Sequence, residues 1–129
     1  MSDGYTIEQV SAIVNCVEVQ MTGSRVICPQ SVHAASDHDF LVRVENLNAA
    51  YQDLVAKDFH GGASMDDNDA IKPGVKFVSL KRNDLNLIVT DDAKFFADFM
   101  LATRVATQLG LTYRGHRIAL FQAILYGKG

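Results

Sequence analysis

Gly23-Ser24-Arg25, followed after ten residues by Ser36-Asp37-His38-Asp39-Phe40-Leu41-Val42, is the stretch that decides how this chain is read. Asp37 and Asp39 stand two apart at the start of a strand predicted over about 38–44. A period of two puts both carboxylates on one face and His38 on the other. Like charges held that close repel unless a cation sits between them. Mg²⁺ is a hard ion that takes one or two carboxylates together with phosphate oxygens. A pair of aspartates at a strand edge is therefore a metal clamp in outline. Gly23 permits a tight turn whose backbone N–H groups can face an anion. Ser24 adds a hydroxyl donor, and Arg25 a planar cationic fork suited to phosphate. A phosphate cradle beside a metal clamp is what phosphoryl or nucleotidyl transfer requires.

Outward from this stretch the periods alternate. Thr6 and Gln9 have the spacing of a capping box, and Ile7, Val10, Ile13 and Val14 follow at helical spacing, which predicts a helix over about 6–15. Val17, Val19 and Met21 then alternate with Glu18 and Gln20, a half-buried strand that Gly23 stops. Residues 24–36 read as irregular around Pro29. In the next strand Phe40, Val42 and Val44 share one face, and Asp39, Leu41 and Arg43 the other. Leu47 to Phe59 reads as a helix with Asn46 as its N-cap and Leu47, Ala50, Tyr51, Leu54 and Val55 as its stripe. The polar run 59–74, with its paired glycines and its aspartates, predicts a mobile loop centred on 60–72. Val75–Leu80 and Leu85–Val89 form a predicted hairpin turned at residues 81–84. Asp91 and Asp92 sit where carboxylates favour a helix N-terminus. Phe95, Phe96, Phe99, Met100 and Val105 follow on a long helix ended by Gly110, and Ile118, Phe121, Ile124 and Leu125 mark a last one that stops at Gly127. The sum is a single α+β domain over 1–129, a mixed sheet of about four strands with helices covering one face.

Composition sets the class. The chain has 129 residues, 48% hydrophobic and 21% charged, the balance of a soluble globular protein. A net charge of −3 argues against a protein held on nucleic acid by bulk charge, yet leaves room for a local anion site. Cys16 and Cys28 are too few for a disulfide scaffold and read as reduced thiols. The polar start is unlike a signal peptide, and no apolar run is long enough to span a bilayer, so the expected location is cytoplasmic with no membrane partner. His60 with Asp66, Asp67 and Asp69 lacks the spacing of a calcium loop and reads as a solvated loop. Cys28 and His33 have no further ligands at zinc spacing. Lys76, Lys81 and Arg82 form either a basic rim for a phosphate or an edge guarded by charge. Arg104, Arg114, His116 and Arg117 belong to the last two helices and read as helix-face or interface groups.

The order of strand, Gly-Ser turn, Asp-x-Asp strand and helix resembles the DNA-polymerase-β-like nucleotidyltransferase superfamily, most closely its small minimal domains, over residues 5–60. The C-terminal stretch from Asn86 is similar to small nucleotidyltransferase-like proteins encoded by tailed phages. The resemblance implies a nucleotidyltransferase-like mixed sheet and Mg²⁺-dependent (or Mn²⁺-dependent) transfer of a nucleoside monophosphate from an NTP to a hydroxyl acceptor. It implies Asp37 and Asp39 as catalytic metal ligands, and Gly23, Ser24, Arg25 and Ser36 as nucleotide-binding residues. The family's third carboxylate lies on a later strand, here 85–89. Register puts Asn86 at that position, and Asp84, of the same parity two residues earlier, is the candidate substitute. Asn86 cannot act as a base, which opens an alternative: a catalytically impaired member that binds a nucleotide or a protein partner, as an interaction or inhibitor module. A protein or small-molecule acceptor is favoured over a long nucleic acid; a helical protein is the partner expected on the last two helices, and a homodimer is the other assembly expected. For a phage-encoded protein the location implied is the host cytoplasm. His38 stands where the family carries an apolar residue, and reads either as a core histidine or as a titrating neighbour of the site.

Overall fold

The structure, a computed structural model, describes residues 6–27, 38–61, 77–111 and 114–126. Helix α1 (Ile7–Ile13) opens with the expected capping box. Thr6 Oγ1 accepts from Gln9 N at 3.1 Å, and Thr6 N donates to Gln9 Oε1 at 2.8 Å. Strand β1 (Glu18–Thr22) runs to Gly23, whose φ of 80° is left-handed. That reversal lets Val26 N and Ile27 N reach Gly23 O at 3.0 and 2.9 Å. The result is α2 (Ser24–Ile27), one helical turn at the start of a stretch expected to be irregular. Strand β2 (His38–Arg43) follows.

Helix α3 (Leu47–Ala56) is capped by Asn46 Oδ1, which accepts from Ala49 N at 2.9 Å. It stops short of the expected end at Phe59, because Asp58 turns left-handed at φ 70° and Phe59 N folds back to Leu54 O at 3.0 Å. The Phe59 ring is fully buried, and the Arg82 guanidinium lies 4.6 Å from its centre. Strand β3 (His60–Gly61) stands where the polar loop is expected to begin. The rest of that loop, with the mobility expected of it and the expected strand start at Val75, lies outside the described residues. Strands β4 (Phe77–Arg82) and β5 (Leu85–Thr90) form the predicted hairpin, with Asn83 accepting a φ of 55° in its two-residue turn.

Asp91 and Asp92 both act as caps, but for different helices. Asp92 Oδ1 accepts from Phe95 N at 2.9 Å and starts α4 (Ala93–Leu109). Asp91 Oδ2 accepts from Leu47 N at 3.0 Å, so it serves α3. Gly110, at φ 64°, ends α4 as expected, and α5 (Arg114–Tyr126) follows. No described helix is long and apolar enough to cross a membrane.

The protein is α+β, with a mixed sheet ordered β1-β2-β5-β4-β3. The pair β2·β5 is parallel and the other three pairs are antiparallel. The fifth strand beyond the expected four is the two-residue edge β3. The larger correction concerns coverage: helices lie on both faces, not one. Val10 and Val14 of α1 and its C-terminal flank, with Leu47, Tyr51 and Leu54 of α3, pack on Val19, Phe40, Val42, Leu85, Leu87 and Val89. On the opposite face Phe95, Phe96, Phe99 and Met100 of α4 pack on Leu41, Phe77 and Ile88, and Leu125 of α5 joins them. The physical reason is local. Phe40, Leu41 and Val42 are consecutive and all buried, a pattern that only a strand covered on both sides can satisfy.

Candidate functional site

Two residues of the decisive stretch meet. Gly23 ends β1, and Asp39 stands near the start of β2, one strand over. A Cβ built on Gly23 would lie 2.0 Å from Asp39 Oδ2, 2.7 Å from its Cγ and 2.8 Å from its Cβ. No side chain fits there, and the left-handed φ disfavours one independently. The bare backbone of the turn and the half-buried carboxylate therefore share one surface.

Register sets the other neighbour. Asp39 pairs with Asn86 across the parallel β2·β5 ladder, the position expected from strand parity. Asn86 Nδ2 donates to Asp39 Oδ1 at 3.0 Å, and Asn86 Oδ1 accepts from Ser79 Oγ at 2.8 Å. The serine hydroxyl thus fixes which way the amide points, and the amide fixes one oxygen of the carboxylate. Asn86 presents an N–H to Asp39, not an oxygen.

The same register row crosses the whole sheet. Thr22 pairs with Asp39, Asp39 with Asn86, Asn86 with Lys81, and Lys81 with His60. Paired residues of neighbouring strands share a face, so five polar side chains from five strands form one line on the α4 side of the sheet. Thr22 is buried, and its Oγ1 lies 2.7 Å from Thr103 Oγ1 of α4, which ties the helix to the end of the row. One step along, the paired Leu41 and Ile88 belong to the apolar core. Sequence reading missed Thr22 and Ser79, left Lys81 between a basic rim and a charge-guarded edge, and placed His60 in a solvated loop. Parity counted from Asn86 through the β4–β5 turn would have found Lys81; Thr22 and His60 needed knowledge of the pairings of β1 and β3.

The remaining predicted residues fall as follows. Asp84 occupies the hairpin turn; its main-chain oxygen accepts from His38 N at 2.7 Å, and its Oδ2 lies 3.6 Å from His38 Nε2. His38 is buried and alternates with Asp39, so the carboxylate of Asp84 stands by the residue on the other face of β2. Gly23 opens α2, whose first two residues are Ser24 and Arg25; the side chains of those two, and all of Ser36 and Asp37, lie outside the described residues. Among the described residues no group of three or more His, Cys, Asp and Glu is arranged to hold a metal.

Among the described residues two cavities lie elsewhere. One, of about 690 Å³, opens between the end of α1 and the start of α3, lined by Asn15, Cys16, Asn46, Asp53 and Lys57 among others. Lys57 Nζ bridges there from Asp53 to the carbonyl of Ile13. The other, of about 510 Å³, lies under α4 against β1 and β2. No protein-family model, no curated protein and no solved structure matches this chain.

Proposed function

We propose that this chain carries a nucleotidyltransferase-like fold and binds a nucleoside triphosphate with Mg²⁺ or Mn²⁺ beside Gly23. The observation that carries the reading is the contact of Gly23 with Asp39, a side-chain-free turn held against a carboxylate one strand away. Asp39 and Asp37 are the ligands proposed for the cation. Oxygen donors suit such an ion, and Asn86, which aims an N–H at Asp39, fits as a positioning group for that carboxylate, not as a ligand. When bound, the cation supplies Lewis acidity and charge neutralisation at the phosphate oxygens. The Gly23 turn with Ser24, Arg25 and Ser36 is proposed to hold the phosphates.

Transfer adds a step. The acceptor oxygen bonds to the α-phosphorus, the bridging bond to the β-phosphate breaks, pyrophosphate leaves, and the hydroxyl proton passes to a base. The sequence reading gave that role to Asp84, but its carboxylate stands beside His38 on the face of β2 opposite Asp39, so the transfer step is proposed without it. A net charge of −3 favours a protein or small-molecule acceptor over a long nucleic acid. A second reading, binding without efficient transfer, is favoured by one observation: the residue paired with Asp39 on β5 is an amide that donates to it. Incubation with each α-labelled NTP and Mg²⁺ or Mn²⁺ tests the two. Label transfer with pyrophosphate release supports the enzyme. Saturable binding without release supports the second reading, and the absence of both overturns each.

A further inference from the structure

The groove of about 510 Å³ between α4 and the strands β1 and β2 is open because of what α4 turns toward it. Ala93, Ala97, Met100 and Arg104 recur at helical spacing and share one face of the helix. The first two carry only a methyl group, so little side chain fills the space over Glu18 and Gln20. Phe96, which is buried, and the half-buried Met100 give the groove an apolar floor. Its volume is that of a small-molecule site.

The groove has two ends. Arg43 pairs with Glu18 on β1 and with Thr90 on β5, and α4 starts three residues after Thr90, so Arg43, Glu18 and Ala93 mark the first end. At the other, Thr22 of β1 meets Thr103 of α4, so Gln20 and Arg104, their neighbours on the same two elements, mark the second. From Ala93 to Arg104 the helix rises about 16 Å. The ends differ in charge. At the first, Glu18 Oε1 lies 3.6 Å from Arg43 Nη2, so that cation has a counter-charge. At the second, the exposed Arg104 guanidinium makes no ion pair or hydrogen bond with a described residue, and neither does the Gln20 amide. Two guanidinium groups against one carboxylate give the lining a charge of +1, in a chain whose net charge is −3.

We propose that this groove binds a small carboxylic acid with an apolar tail, the chemistry of a medium-chain fatty acid. The carboxylate lies at Arg104, whose planar fork donates two parallel N–H bonds to it, beside the Gln20 amide. One unpaired guanidinium matches the single charge of a carboxylate, whereas a doubly charged phosphate monoester leaves one charge unmatched. The tail runs over Phe96, Ala97 and Met100, and its burial there is the favourable apolar contribution. The flexible thioether of Met100 adapts to it. Charge also sets the direction, because the reverse orientation brings the ligand's carboxylate against Glu18. The buried Thr22–Thr103 contact stands between this groove and Asp39, and the proposal does not depend on the nucleotide reading.

An NMR titration of the full chain with decanoate, kept below micelle formation, tests this. The expected result is a saturable shift of the Met100 methyl and the Arg104 Nε–H signals. Decanol, which keeps the tail, and acetate, which keeps the charge, are each expected to bind about tenfold or more weakly. Arg104→Gln is expected to weaken decanoate binding by about tenfold or more, and Ala97→Phe to abolish it by filling the groove with no change of charge. Lys94→Gln removes the same charge from α4 outside the groove and is expected to leave the Kd unchanged. If Ala97→Phe loses its fold, Arg104→Gln, at an exposed position, decides. The absence of saturable decanoate binding overturns the proposal. So does binding that Arg104→Gln retains in full, decanol binding as tight as that of decanoate, or tighter binding of decyl phosphate.

Discussion

Replacing Gly23 by alanine perturbs the candidate site with the smallest possible change, one methyl group. Two costs follow from the geometry. A residue with a Cβ at φ 80° sits in the left-handed region, at about 1–2 kcal/mol. The new methyl also falls 2.0 Å from Asp39 Oδ2, well inside contact distance, so the carboxylate must move. Moving it breaks the bond from Asn86 Nδ2, and a hydrogen bond to a charged group is worth about 1.5–3 kcal/mol. The total loss is about 2.5–5 kcal/mol, or roughly 9–18 °C in Tm for a chain of this size. Gly110 supplies the control. Its φ of 64° carries the same backbone penalty, but nothing lies within 4 Å of its added Cβ, so Gly110→Ala loses only about 1–2 kcal/mol. Thermal melts followed by circular dichroism measure both, together with Gly23→Ala/Asp39→Ala. The double variant removes the obstructing carboxylate, and the two changes are then strongly non-additive. Equal losses for the two glycines, or plain additivity with Asp39→Ala, would refute the close approach.

Asn86→Asp puts a second carboxylate against Asp39 and removes the N–H that bonded it, so the apo protein loses about 1–3 kcal/mol. The paired carboxylates raise each other's folded pKa, so the loss deepens as pH rises through the carboxylate range and shrinks in acid; melts at pH 5 and pH 8 check the sign. If the pair then holds Mg²⁺, the cation raises the variant's midpoint more at pH 8 than at pH 5. Thr103→Val strands the buried Thr22 hydroxyl at the end of the polar row and costs about 1–3 kcal/mol, whereas Thr22→Val/Thr103→Val recovers much of that loss; denaturant midpoints measure both.

Local signals were legible in the sequence. The Thr6–Gln9 box, the Asn46 cap and the Gly110 stop each rest on one or two residues acting over a few positions, whereas the turn expected over 81–84 tightens to Asn83-Asp84 because Lys81 and Arg82 stay in β4. Asn86 beside Asp39 was expected only through the family resemblance, which supplied the neighbouring strand; parity then chose the residue on it. What escaped was decided by tertiary contact. Asp91 has the composition of an α4 cap, yet it bonds Leu47 of α3, an assignment that depends on where two chain ends meet. The one-turn α2 is nucleated by the left-handed φ of Gly23, which no periodicity reveals over four residues. Coverage of both faces had a signal, the buried run Phe40-Leu41-Val42, but alternation on either side of it masked the reading. Asp84 was assigned by parity alone, and the turn carried its carboxylate to His38.

The reading of Gly23 and Asp39 as a nucleotide–metal site is tested most directly by one comparison of melting midpoints. Asp39→Asn keeps an oxygen that can still accept from Asn86 Nδ2, so the fold is retained while the charge is lost. With saturating NTP and Mg²⁺ the wild-type midpoint is predicted to rise by mass action, by about 2.7 kcal/mol of apparent stability at a hundredfold excess over Kd, and the Asp39→Asn midpoint to stay where it is without ligand. A wild type that shows no shift with any NTP, or a shift of equal size in both proteins, would contradict it.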